Sequence, residues 1–189
     1  MLQLKRSFLA FLWLSLICGL IYPLMITGIA QTLFSEKSNG SMINNADQIT
    51  GSQLIGQLFT NPKYFHGRPS AIDPPYDAAN SGGSNLAPSN SKLIEQARMR
   101  AEQVRRENGL PFDAQIPADL VLTSASGLDP HISPASAELQ VGRIAQERKM
   151  SEAELDKLIR QNTEQPLLGI WGKERVNVFL LNRALDSIQ

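Results

Sequence analysis

Apolar residues crowd into one stretch near the N-terminus and are dispersed after it. Following Lys5 and Arg6, no charged residue occurs until Glu36. Between them Phe8 to Ala30 reads FLAFLWLSLICGLIYPLMITGIA. As a helix this run extends about 34 Å at roughly 1.5 Å per residue, enough for a hydrocarbon core of about 30 Å. Gly19 and Pro23 are compatible with it, since both occur in membrane helices. A buried core helix would show a polar face, and none exists over six turns. A cleaved signal peptide is the rival reading: Lys5 and Arg6 supply a basic start and Gly28-Ile29-Ala30 a small-x-small site, but the apolar run exceeds the usual length of about 7–15 residues. A type IV pilin start would need an early Glu, which is absent. The pattern predicts a cytoplasmic stub over 1–7, a transmembrane helix over 8–31 and a separate domain over 32–189.

Beyond the span the periodicity changes. Residues 35–51 are polar, with a turn signal at Asn39-Gly40. Ser52 to Phe59 is a short apolar run bounded by Gly51 and Asn61-Pro62, which reads as a strand. Thr60 to Ser91 holds five prolines and three glycines. A loop of that length is unusual in a compact domain, and its aromatics Tyr64, Phe65 and Tyr76 favour order over disorder. A helix capped by Asn90 or Ser91 runs to about Asn108, with Leu93, Ala97, Ala101 and Val104 as a narrow apolar stripe. Gly109-Leu110-Pro111 stops it. A second helix starts at Ser133-Pro134, buries Ala137, Val141, Ile144 and Ala145, and ends near Lys149. In a third, Ser151 and Glu154 form a capping box and Met150 staples onto Leu155, with Leu158 and Ile159 on the same face. Ala118 to Ser124 and Leu167 to Trp171 read as strands, and Arg175 to Asp186 as a strand entering a terminal helix. The class is α+β: one N-terminal transmembrane helix followed by one extracytoplasmic mixed α/β domain.

Charge sets the orientation. Lys5 and Arg6 lie before the span, and Glu36 and Lys37 cancel after it, so the positive-inside rule places the N-terminus in the cytoplasm. The expected topology is single-pass, with the main domain outside the cytoplasm and lipid around the helix. The whole chain has 18 basic and 18 acidic residues, which argues against a nucleic-acid partner. One cysteine, Cys18 in the span, excludes an internal disulfide framework and a Cys-rich zinc site. A helix without ionisable residues forms no ion pathway alone.

Catalytic motifs are weak. Ser81-Gly82-Gly83-Ser84 lacks the lysine and hydroxyl of a phosphate loop. Ser124, Ser126, Asp129 and His131 are close in sequence, but triad partners come from separate elements; Asp129-Pro130 reads as a turn before the Ser133 cap. His66 with His131, or Asp73 with Asp77, make incomplete metal sites. A single-pass chain without a catalytic constellation reads as an accessory subunit; a secreted enzyme and a generic anchored binding module are the alternatives.

Several motifs occur in order: Tyr22-Pro23-Leu24, Asn39-Gly40-Ser41, and Gly51-Ser52 through Leu54-Ile55-Gly56-Gln57. Then come Tyr64-Phe65-His66-Gly67-Arg68-Pro69-Ser70, Ser81-Gly82-Gly83-Ser84-Asn85-Leu86, and Ser124-Ala125-Ser126-Gly127-Leu128-Asp129-Pro130. The end reads Val176-Asn177-Val178 and Leu181-Asn182-x-Ala184-Leu185-Asp186. Together they resemble the KdpC subunit of the bacterial Kdp potassium-transporting P-type ATPase over nearly the whole chain, departing at Arg183, where that family more often has an apolar residue. The resemblance implies a non-catalytic subunit beside three partners: a potassium-conducting subunit, a P-type ATPase subunit and a small peptide subunit. ATP and potassium are handled by that complex, with no cofactor assigned to this chain. The family is described as a catalytic chaperone that raises the ATPase subunit's affinity for ATP. A domain outside the cytoplasm cannot touch that ATP, so the expected role is indirect. The expected partner interface is Tyr64, Phe65, His66, Gly67, Arg68, Pro69 and Ser70 together with Ser81, Gly82, Gly83, Ser84 and Asn85, Arg68 being expected to meet a specific partner.

Overall fold

The computed structural model describes residues 1–45 and 48–188, and the chain divides into two compact units, Met1–Ser52 and Gln53–Gln189. The first unit is one long helix followed by a hairpin. Helix α1 (Leu2–Leu16) passes through a π-helical stretch (Ile17–Ile21) into α2 (Tyr22–Leu33). The 32 residues from Leu2 to Leu33 form a single candidate membrane span, whose apolar 18-residue window has a mean hydropathy of 2.2 and none of it buried. The helical backbone therefore starts within the segment expected as a stub. Pro23, in the first turn of α2, explains the π-helical stretch. Proline brings no N–H and its ring clashes with the carbonyl four residues back, that of Gly19. The widened turn around Gly19 relieves both constraints.

Within the region expected to be a loop over 35–51, α3 (Ser35–Ser38) is followed by β1 (Met42–Asn45) and β2 (Gln48–Ser52), paired antiparallel. Residues 46 and 47 of that expected loop lie outside the described residues. The Ser52 hydroxyl donates to Gly40 O at 2.6 Å and the Thr50 hydroxyl to Ile43 O at 2.9 Å, closing the hairpin ends.

The second unit opens with a long irregular segment and then supplies α4 (Ser91–Glu107), β3 (His131–Ile132), α5 (Pro134–Glu138), α6 (Val141–Arg148), α7 (Glu152–Gln161), β4 (Thr163–Glu164), β5 (Arg175–Asn177) and α8 (Val178–Asp186). The three strands form one antiparallel sheet in the order β3-β5-β4. Its central strand carries Val176, which is fully buried. Around it pack Ile132, Ala137, Ile144, Leu155, Ile159, Leu181 and Leu185, with Phe65 inserted from the irregular segment. The apolar faces read for the second and third helices are this core, and Met150 packs against it half-buried. The capping box at Ser151 and Glu154 is present with both reciprocal bonds. Asn90 caps α4, whose stripe is only half-buried.

Four expectations are corrected. Only Ser52 of the strand read over 52–59 is extended into a ladder. Beyond it Gly56 donates to Leu128 O at 2.8 Å and lies so close to Tyr76 and to Asp129 O that any Cβ would meet that carbonyl at 2.8 Å. Ala118 to Ser124 is not a strand: a 3-10 turn (Ala118–Leu120) buries Leu120 and points Asp119 at the start of α5. There the carboxylate accepts from Ser133 N at 2.6 Å and from the Ser136 hydroxyl at 2.7 Å. The single helix expected over 133–149 is two, broken at Leu139-Gln140, where the Gln140 side chain turns inward to bond backbone. Lys149, with φ 56°, closes the second piece. Leu167 and Trp171 form one isolated bridge that closes a tight loop, not a strand.

Candidate functional site

Of the segments quoted for the resemblance, those beyond Ser52 come together in the second unit as interlocked loops. Two side-chain amides clasp the first of them. Phe65 N donates to Asn182 Oδ1 at 2.8 Å, and Asn182 Nδ2 donates to Phe65 O at 2.9 Å. One residue later the pattern repeats: His66 N donates to Gln140 Oε1 at 2.8 Å and Gln140 Nε2 to His66 O at 3.1 Å. These fully buried amides, from α8 and from the break before α6, satisfy loop backbone that no sheet satisfies. Arg143 donates to Tyr64 O at 2.9 Å, to Pro62 O and to Gln140. Arg148 donates to Lys63 O at 2.8 Å and to Asp186 at 2.6 Å, its guanidinium 4.9 Å from the Tyr64 ring centre. The Tyr64 hydroxyl reaches Asp186 from the other side at 3.0 Å.

Arg68 meets its partner inside this unit. Nη1 lies 2.9 Å from Asp129 Oδ2, and Nη2 donates to Leu122 O and Thr123 O at 3.4 and 3.3 Å. Its Nε is buried with no hydrogen-bond partner among the described residues. Those carbonyls belong to the segment read as a strand; they turn to the guanidinium instead of a neighbouring strand. The Tyr76 hydroxyl donates to Arg68 O, with Gly67 packed against the same hydroxyl. Ser70 donates to Gly127 O at 2.9 Å. The glycine-rich loop lies along the same turn: Gly82 N and the Ser81 hydroxyl both donate to Ser126 O, and Gly83 packs against Ala125. Gly127, at φ 70°, stands where a Cβ would meet Gly82 O at 2.8 Å, so that turn requires glycine. Ser84 is half-buried, and Asn85 is exposed in a left-handed conformation.

The electrostatics follow from this geometry. Burial opposes the Asp129 charge, but hydrogen bonds from His131 and Arg68 outweigh it and hold the carboxyl at about 2. Burial, with the Asp129 charge beside it, pushes the Tyr76 phenol up to about 12. Burial and then the Arg143 charge lower His66, against opposing pulls from Asn61 and from Glu107, which lies 3.6 Å away. His66 is therefore neutral at pH 7. A groove of about 360 Å³ runs between the 57–76 loops and α4, with His66, Arg68 and Tyr76 facing Arg100, Gln103 and Glu107. The glycine-rich loop is not a phosphate cradle in the helix-terminus manner: the Gly82 amide is already spent on Ser126, and the next helix begins only at Ser91. Among the described residues no group of three or more His, Cys, Asp or Glu side chains is placed to hold a metal ion. Ser124 accepts from Gly127 N and Asp129 bonds Arg68 and His131, but among the described residues no hydrogen bond joins Ser124 or Ser126 to His131.

A family model described as KdpC, the K+-transporting ATPase c chain, matches residues 4–187. The chain belongs to the KdpC family. Named potassium-transporting ATPase KdpC subunits are similar to it along most of their length. One from Koribacter versatilis is 49% identical over 176 residues, covering 93% of this chain and 89% of that protein. One from Gemmatimonas aurantiaca is 52% identical over 176 residues, covering 93% and 87%. One from Photorhabdus laumondii is 46% identical over 189 residues, covering 100% and 97%.

In this KdpC chain, Tyr64 to Ser70 and Ser81 to Gly83 are thus brought together, but much of their bonding capacity is turned inward. Gln140, Arg143 and Asn182, which hold the first loop, were not singled out as site residues. Asn182 did stand in a quoted motif, as a polar residue between the buried Leu181 and Leu185. Its neighbours' burial is the signal that such an amide needs a backbone partner. Gln140 and Arg143 lay on a helix read by its apolar face alone.

Proposed function

We propose that the chain is a non-catalytic accessory subunit of an ATP-driven potassium uptake complex. The observation that carries this reading is the family match over residues 4–187, together with relatives named as subunits of the potassium-transporting ATPase. The proposed arrangement is a single inner-membrane span with its N-terminus in the cytoplasm, favoured by Lys5 and Arg6 before the apolar run. Unit 53–189 then lies outside the cytoplasm. From there it docks on the potassium-conducting subunit, beside the P-type ATPase subunit and the small peptide subunit, and acts on ATP turnover indirectly through assembly. The exposed edge of the interlocked loops, at Ser81 and Asn85, contributes to that docking face. Inward-turned groups such as Phe65 and Arg68 hold its shape.

The test is purification of tagged full-length protein in mild detergent from cells starved of potassium, with companions identified by mass spectrometry. The reading expects the potassium-conducting and ATPase subunits in fixed ratio. Recovery of the chain alone overturns it. Added protease should cut unit 53–189 in spheroplasts; protection there, with cleavage in inverted vesicles, overturns the orientation.

A further inference from the structure

The membrane helix carries a polar notch at mid-length. Tyr22 stands sixteen residues after Arg6 and fourteen before Glu36, the charges that bound the apolar run. At roughly 1.5 Å per residue it lies about 20 Å or more along the axis from either charge. A hydrocarbon core of about 30 Å therefore holds it near mid-depth. Tyrosine is at home at the interfaces, where its hydroxyl meets water. Here the residue is 57% exposed on the helix surface, and among the described residues no hydrogen bond reaches its hydroxyl. Ser15 and Thr27 also lie within the core, but a short hydroxyl turns back onto the carbonyl four residues earlier, as Thr32 does onto Gly28 O at 2.8 Å. A hydroxyl at the end of a rigid ring does not reach its own backbone.

The backbone beside it is short of a donor. In the π-helical stretch Tyr22 N donates to Ile17 O, five residues back. The next carbonyl, Cys18 O, would take the N–H of residue 22 in an α-helix and that of residue 23 in a π-helix. The first is committed to Ile17, and the second does not exist, because residue 23 is proline. Cys18 lies one turn before Tyr22, and helical side chains lean toward the preceding turn. The bare carbonyl and the hydroxyl therefore open on one side of the helix. Acyl chains offer neither donor nor acceptor, so backbone and side-chain polar groups at that depth are satisfied by protein.

We infer that this notch is where a membrane helix of a companion subunit docks, through an uncharged amide side chain. The inference rests on the accessory-subunit reading above and names a contact within the bilayer. One Asn or Gln satisfies both groups: its nitrogen donates to Cys18 O, and its oxygen accepts from the Tyr22 hydroxyl. The same device holds loop backbone in unit 53–189, where Asn182 clasps Phe65. A charged partner would need a counter-charge, and none lies between Arg6 and Glu36. A lipid tail has no polar atom to offer.

The test replaces Tyr22 with photoreactive benzoylphenylalanine in the tagged full-length chain, produced with its companions and irradiated in the membrane. The expected product is a covalent adduct with one companion subunit, mapped by mass spectrometry to a membrane-spanning segment that contains Asn or Gln. In parallel, Tyr22→Phe removes only the hydroxyl, and companion recovery in mild detergent should fall about threefold, as for one interhelical hydrogen bond. Pro23→Ala restores the missing N–H, closes off Cys18 O and should lower recovery to a similar extent. If the parent recovers no companion, the accessory-subunit reading fails. If the parent recovers them and both variants match it, or the probe labels only phospholipid or a second copy of this chain, the notch assignment fails and that reading stands. An adduct on a segment without Asn or Gln overturns the amide.

Discussion

Replacing Arg68 with alanine should lower the stability of unit 53–189 by about 2–3 kcal/mol. The Arg68–Asp129 bond at 2.9 Å is charge-assisted, and each side chain is about a quarter exposed. Hydrogen bonds to charged groups contribute about 1.5–3 kcal/mol, and partial screening by solvent places this one in the lower half. The two carbonyl contacts, at 3.4 and 3.3 Å, are long and add about 0.5 kcal/mol each. Asp129 keeps its bond from His131 N, which limits the damage. At roughly 2–4 °C per kcal/mol the melting temperature should fall by about 5–10 °C. Lysine should recover only part of this, because a point charge cannot reach the carboxylate and both carbonyls together. The assay is thermal unfolding of the 53–189 fragment followed by far-ultraviolet circular dichroism. An arginine whose only partner lay on another subunit would leave that melting curve unchanged. A shift under about 1 °C for Arg68→Ala therefore refutes the internal role.

Three further outcomes follow from the same geometry. Asn182→Ala strips Phe65 of both backbone partners in a fully buried setting, so urea unfolding should show a loss of about 2–4 kcal/mol, and a loss under about 0.5 kcal/mol contradicts the clasp. Gly56→Ala should destabilise the fragment measurably, because its Cβ meets Asp129 O at 2.8 Å and the Tyr76 ring; unchanged stability would mean the two loops part easily. The folded Asp129 carboxyl is held at about 2, below its ordinary value of 3.8. Its contribution is therefore fully present above pH ~4 and lost as pH falls through about 2, roughly 1–2 kcal/mol after allowance for solvent screening. Asp129→Asn should flatten that part of the acid dependence, and an unchanged acid profile rules it out.

The elements legible in the sequence were those whose signal is local. The capping box at Ser151 and Glu154, the Asn90 cap, and the strand entering a helix at Arg175 to Asp186 are set within a few residues. The unbroken apolar run likewise identifies one helix long and apolar enough to cross a membrane. What failed was decided by partners far along the chain. Ala118 to Ser124 has a strand's composition, but Asp119 is taken by Ser133 and Ser136, and the Leu122 and Thr123 carbonyls by Arg68, 54 and 55 residues away. The second helix breaks because Gln140 serves a loop 74 residues earlier. The site was legible as three motifs in order, and their meeting was not, because Gly82–Ser126 and Ser70–Gly127 contacts leave no periodicity in either segment. Leu167 to Trp171 was read as a strand from its apolar run; Gly169 and Gly172 at positive φ convert it into an exposed loop.

The most direct test is potassium uptake by cells that lack this chain alone, with the genes for its companions intact. Uptake from micromolar external potassium is measured before and after the full-length chain is restored. Uptake should be lost without the chain and return with it, and the 53–189 fragment alone should not substitute. Uptake that proceeds at the parental rate in its absence would contradict the claim that this protein is a working part of the transporter.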